Sequence, residues 1–112
     1  MDRQVKKLLS DILTSINDVD IHLQGNRSFL ISQQDITMRR SVERELEIIG
    51  EAMKRLVQVE PSIIISDTKG IINFRNRISH GYDSVDDTIV WGIVINHLPK
   101  LKEEVKILLK QD

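Results

Sequence analysis

The chain has 112 residues, 40% hydrophobic and 29% charged, with 16 Lys and Arg against 17 Asp and Glu and a formal net charge of −1. That describes one globular domain able to bury roughly two-thirds of its unfolded surface, and it excludes a global basic field, so any contact with nucleic acid must come from a local patch. With no cysteine, disulfides and thiolate metal sites are excluded. No apolar run approaches the roughly 18 residues that span a bilayer, and the start, Met1-Asp2-Arg3-Gln4-Val5-Lys6-Lys7, lacks an apolar signal core; a soluble, cytoplasmic protein is expected.

Val5, Leu8, Leu9, Ile12, Ile16, Val19 and Leu23 recur at three- and four-residue intervals and predict an amphipathic helix of about six turns, ending near Gly25. His22 falls near its end, partly exposed, and is a poor metal candidate because no second ligand type stands at a ligand-like spacing. Asn26-Arg27-Ser28 reads as a turn, with Ser28 capping a short helical piece that carries Phe29 and Leu30. Asp35 is placed to cap the main helix that follows, in which Met38, Val42, Leu46, Ile49, Met53 and Leu56 keep a helical period to about Val59. Its opposite face carries Arg39, Arg40, Glu43, Arg44, Glu47, Glu51, Lys54 and Arg55. Most of that is a solvated face supported by pairs such as Glu51 with Arg55, and part of it is able to line a groove.

Glu60-Pro61 ends this helix, because the residue before proline is pushed out of the helical region. Ser62-Ile63-Ile64-Ile65 is a short apolar linker, and Ser66 or Asp67 caps the next helix. Gly70 within it costs about 1 kcal/mol relative to alanine, and its missing side chain is expected to admit a neighbouring helix. At about 100° per residue, Ile71, Phe74 and Ile78 form the core-facing stripe, Asn76 and His80 fall opposite, and Arg75 and Arg77 flank the stripe. Gly81 follows as the expected residue just past the helix, which places His80 near a C-terminus that favours imidazolium. That end repels phosphate, so Arg75 and Arg77 have to supply the positive field. An arginine that holds phosphate beside a histidine that moves a proton is a workable pair for cleaving a phosphodiester. The same spacing also describes a solvated helix face that merely carries Arg, Asn and His.

Ser84-Val85-Asp86-Asp87 resembles a capping box. Ile89, Val90, Trp91, Ile93, Val94, Ile95 and Leu98 then cover more than one face of the last helix, which calls for burial on several sides, centrally or against a second subunit. Pro99 should kink or restart it, and Leu101, Val105, Leu108 and Leu109 continue the stripe. His97 reads as structural. No stretch alternates with period two, so the fold expected is an all-α antiparallel bundle of four main helices plus short helical pieces. A Gly-rich phosphate loop, an H-E-x-x-H helix and a nucleophile elbow are all missing from the sequence.

Arg75-x-x-x-x-His80-x-Tyr82 resembles the R-x-x-x-x-H-x-Y signature of HEPN domains of the HepT type, the toxin half of HepT/MntA type VII toxin–antitoxin pairs. The likeness extends to Glu47-Ile48-Ile49-Gly50-Glu51-Ala52-Met53-Lys54-Arg55-Leu56, to Ile71-Ile72-Asn73-Phe74-Arg75-Asn76-Arg77, and to Ile89-Val90-Trp91 with Leu98-Pro99-Lys100-Leu101-Lys102. The resemblance implies a HEPN-like homodimeric bundle with a composite site where two motif helices face each other. It implies a metal-independent endoribonuclease acting on RNA, with no cofactor, in which Arg75, His80 and Asn76 are catalytic. Lys54, Arg55 and Arg77, with Lys69, are the cations that would have to converge on the substrate. It further implies that Tyr82 is the residue to which an MntA-like nucleotidyltransferase antitoxin attaches AMP. The alternatives are a catalytically inactive dimeric adaptor that binds such a nucleotidyltransferase, and a helical interaction module on which the motif is a coincidence.

Overall fold

Two long helices set the frame. In the computed structural model, which describes residues 1–23, 35–78 and 87–111, α1 (Arg3–Leu23) buries Val5, Leu8, Leu9, Ile12, Ile16, Val19 and Leu23, the periodic set of the sequence. Asp2 caps it: Oδ1 accepts from the backbone N–H groups of Gln4 at 2.7 Å and Val5 at 3.3 Å, two donors that a helix start otherwise leaves unpaired. The turn at Asn26, the piece with Phe29 and Leu30, and the capping residues Ser84 to Asp86 lie outside the described residues.

The second helix, α2 (Ile36–Val59), starts where expected, with Asp35 accepting from Met38 N–H at 3.0 Å. It stops at Glu60, whose N–H still reaches Leu56 O at 2.8 Å before Pro61 removes the next donor. The pairing with α1 is antiparallel: His22 meets Glu45, while Leu8 and Ser15 share a hollow with Arg55 and Ile48. Leu9, Ile12, Leu46, Ile49, Met53 and Leu56 are sealed between the two. The expected ion pair between Glu51 and Arg55 does not form. Both side chains are exposed, where such a pair is worth a few tenths of a kcal/mol against the entropy of holding two long chains.

The motif segment is not one helix but two short ones, α3 (Thr68–Ile72) and α4 (Phe74–Ile78), hinged at Asn73. The last rod is built of α5 (Asp87–Gly92), a π-helical turn (Ile93–His97) and α6 (Leu98–Lys110), with Leu98 N–H reaching five residues back to Ile93 O. Pro99, in the first turn of α6, has no N–H to give Ile95 O and would crowd that carbonyl in a regular helix; the widened turn just ahead of it accommodates both. This rod runs antiparallel to α1, with Val94 and Leu98 beside Val19 at one end and Leu108 beside Val5 at the other. Val90, Ile93, Val94, Leu98, Leu101 and Val105 join a single hydrophobic core with α1, α2, Ile71 and Phe74. The fold is all-α, as expected, with no strand among the described residues. No helix among them is long and apolar enough to cross a membrane.

Candidate functional site

The motif segment is fixed to the bundle before it presents anything. Ser66 is clamped by Glu104 of α6, its N–H donating to Oε2 and its hydroxyl to Oε1, each at 2.9 Å. Asp67, rather than Ser66, caps α3, accepting from Gly70 N–H at 3.1 Å. The cap also explains Gly70. A Cβ there would fall 2.3 Å from the Asp67 carboxylate, so this glycine makes room for its own helix cap and not, as expected, for a neighbouring helix. The close approach belongs to Gly50 of α2, where a Cβ would stand 3.1 Å from Ile71 O and 3.4 Å from Ile72 O. α3 therefore lies backbone-first on α2.

Phe74 then anchors α4. Its ring is fully buried and meets His97 of the π-helical turn edge-on, with centroids 6.0 Å apart and planes at 71°. His97 Nδ1 stands 3.9 Å from Asp67 Oδ2, so this histidine links the last rod to the motif segment. With Phe74 inward, the helical step leaves Arg75 and Asn76 exposed and Arg77 half-buried. Asn76 Nδ2 donates to Asn73 Oδ1 at 2.8 Å, and Arg77 N–H donates to Asn73 O at 3.0 Å. Among the described residues neither Arg75 nor Arg77 is held by a carboxylate. Two unneutralised guanidiniums and an amide thus share one short helix, an arrangement suited to receiving a polyanion.

The other expected cations do not all join them. Arg55 lines a hollow of about 360 Å³ between α1 and α2, with Asp11 and Glu51 on its walls; acidic neighbours make that a poor seat for phosphate. Lys54 is exposed, and one helical step puts it nearer the Gly50 flank that faces α3. Gly50, one turn before Lys54, meets Ile71 and Ile72 of α3, the helix ahead of the one that carries the arginines. Lys69 is exposed on α3. His80 and Tyr82 lie outside the described residues.

Three features escape the sequence reading. Asn73 is one, and its signal was a second asparagine one helical turn before Asn76. Gly50 is another. The third is Glu45, a buried carboxylate whose Oε2 lies 3.0 Å from His22 Nε2. Its signal was its position seven residues after Met38 and seven before Ala52, on the apolar stripe. No group of three His, Asp or Glu among the described residues is placed to hold a metal ion.

Comparison with known proteins agrees with the architecture. Residues 12–108 match the family model described as Ribonuclease HepT-like. Two proteins of Methanocaldococcus jannaschii named "Putative RNase" are similar to the chain: one is 30% identical over 96% of this chain and 89% of its own length, the other 34% identical over 95% and 97%. A "Putative RNase" of Caldanaerobacter subterraneus is 31% identical over 70% of this chain and 71% of its own. No solved structure matches the chain significantly. The matched span takes in α2, the motif segment and nearly all of the last rod, and the chain belongs to the HepT-like ribonuclease family.

Proposed function

We propose that the protein is a metal-independent endoribonuclease working as a homodimer, with a composite site where two copies of α4 face one another. The observation that carries this is α4 itself, which holds Arg75 and Asn76 exposed beside a buried Phe74, with neither arginine held by a carboxylate among the described residues, inside a chain of the HepT-like ribonuclease family. In the reaction, the ribose 2′-oxygen attacks the adjacent phosphorus, the bond to the 5′-oxygen breaks, and a 2′,3′-cyclic phosphate remains. One His80 accepts the 2′-hydroxyl proton and the His80 of the second copy returns a proton to the leaving oxygen. Arg75 stabilises charge developing on the phosphorane oxygens, Asn76 orients the reacting groups, and Arg77 contacts the flanking backbone. DNA, without the 2′-hydroxyl, is not cut by this route.

Regulation is proposed at Tyr82. A partner nucleotidyltransferase of the MntA type would transfer AMP from ATP to the phenol with release of pyrophosphate, adding negative charge and bulk beside the cleft.

The test is cleavage of a labelled structured RNA in EDTA by the folded, unmodified dimer. Wild type should cut and leave cyclic phosphate ends, while Arg75→Ala and His80→Ala should each lose at least a hundredfold in rate, the scale of an acid–base or oxyanion group. An undiminished rate in His80→Ala would sink the mechanism, and a folded wild-type dimer that never cuts would favour the adaptor. For Tyr82, a mass gain of one adenylyl group with partner and ATP that is absent from Tyr82→Phe supports modification, and an equal gain in that variant refutes it.

A further inference from the structure

We infer that Asn73 is a positioning residue that turns the Asn76 amide so that its carbonyl oxygen accepts the 2′-hydroxyl of a nucleotide flanking the cleaved bond, the proton of the attacking 2′-hydroxyl going to His80. This rests on the ribonuclease reading and adds to it how the site recognises ribose.

Asn73 occupies the hinge between α3 and α4 with φ −81° and ψ 0°, and its backbone is held from both sides. Its N–H donates to Lys69 O at 3.0 Å and its carbonyl accepts from Arg77 N–H at 3.0 Å. The side chain therefore departs from a fixed point of the hinge. Its Oδ1 accepts from Asn76 Nδ2 at 2.8 Å, which breaks the symmetry of the Asn76 amide. One N–H is consumed at the hinge, and Oδ1, with two lone pairs on an exposed side chain, has no partner among the described residues.

The amide oxygen cannot bind phosphate, since both are acceptors, and one of the two N–H groups that could do so is already spent on Asn73. Phosphate falls instead to the neighbouring Arg75, a donor only. The donors an RNA strand offers to Asn76 Oδ1 are the N–H groups of its bases and the 2′-hydroxyl of its backbone, and only the second tells RNA from DNA whatever the sequence. Arginine and asparagine side by side on α4 therefore divide the strand between them, a phosphate to one and a neighbouring ribose to the other. Had Asn76 been free to rotate, it could have presented its NH2 group to phosphate in RNA and DNA alike.

The inference is tested by binding, in a His80→Ala background so that the RNA survives. The probes are a single-stranded RNA and the same strand with 2′-fluorine throughout, which keeps an RNA-like sugar pucker but has no hydrogen to donate. Asn73 and Asn76 intact should favour the hydroxyl strand by about fivefold, the worth of one neutral hydrogen bond. Asn73→Ala should bring the ratio to near one. Asn73→Asp, which still accepts from Asn76 Nδ2, should restore it even though its charge weakens binding of both strands. A merely structural role for Asn73 would lower both affinities and leave the ratio alone. A ratio near one with Asn73 present, or an unchanged ratio in Asn73→Ala, overturns the inference. If the wild type still cuts RNA in those cases, the ribonuclease reading stands; binding of neither strand, with no cutting by the wild type, overturns both.

Discussion

At Gly70 two single-residue effects of similar size oppose each other. A methyl group there gains helix propensity, up to about 1 kcal/mol over glycine. It also collides with the Asp67 carboxylate, 2.3 Å from the ideal Cβ, and expels a cap worth about 1 kcal/mol. Gly70→Ala should therefore leave stability within about 0.5 kcal/mol of wild type, whereas the same change in an Asp67→Ala background, where no cap remains to be lost, should stabilise by about 1 kcal/mol. Urea unfolding of the four proteins of the cycle checks this, and equal effects in the two backgrounds would show that the carboxylate moves aside freely. Arg75 and Asn76 are instead settled by Phe74. Their outward placement was legible because the stripe of Ile71 and Phe74 alone fixes which side of the segment is buried.

At the scale of the element, helices whose apolar period is unbroken were legible to within a residue or two. Asp35 and Val59 bound α2 as read from the sequence because an acceptor precedes the first apolar position and a proline follows the last. The break at Asn73 was hidden, since Ile71, Phe74 and Ile78 keep helical spacing straight across it and nothing local reports a one-residue hinge. Pro99 announced a fault in the last rod, but packing of Ile93, Val94 and Leu98 decided that the fault is a π-helical turn ahead of the proline. Convergence of Arg55 with the motif was assumed from its charge, yet a helix turns about 100° per residue and carries Arg55 to the α1 side. The α1–α2 hairpin holds the contact that supplies the prediction at this scale. Glu45 is 8% exposed and the bond it makes across the hairpin goes to His22, so His22→Ala strands a carboxyl group inside the pair and should cost about 1–3 kcal/mol. Replacing Glu45 by Leu in that variant removes the orphaned group and should recover most of the loss. If His22→Ala unfolds in urea at the wild-type midpoint, the pair contributes nothing and Glu45 reaches water through relaxation.

For the whole molecule, a formal charge of −1 constrains how RNA can be held. Long-range attraction to a polyanion is negligible, so the cations actually in contact must carry the electrostatic part of binding. Under the proposed dimer these are Arg75 and Arg77 from each copy, four guanidiniums in all, while Arg55 faces the acidic hollow on α1. Each phosphate neutralised on a single strand contributes about −0.7 to the slope of log affinity against log salt, so the slope should be about −3. A protein whose whole surface is basic would show a far steeper one. Arg75→Ala removes one contact per copy and should flatten the slope to about −1.4, with a folded dimer retained because the exposed side chain at 75 packs against nothing in the core. Lys54→Ala and Arg55→Ala should each leave the slope within error of wild type. Titrating labelled RNA into the His80→Ala protein across 50 to 300 mM salt reads all four values. A steep slope that Arg75→Ala does not change would move the RNA away from α4 and onto another surface of the bundle.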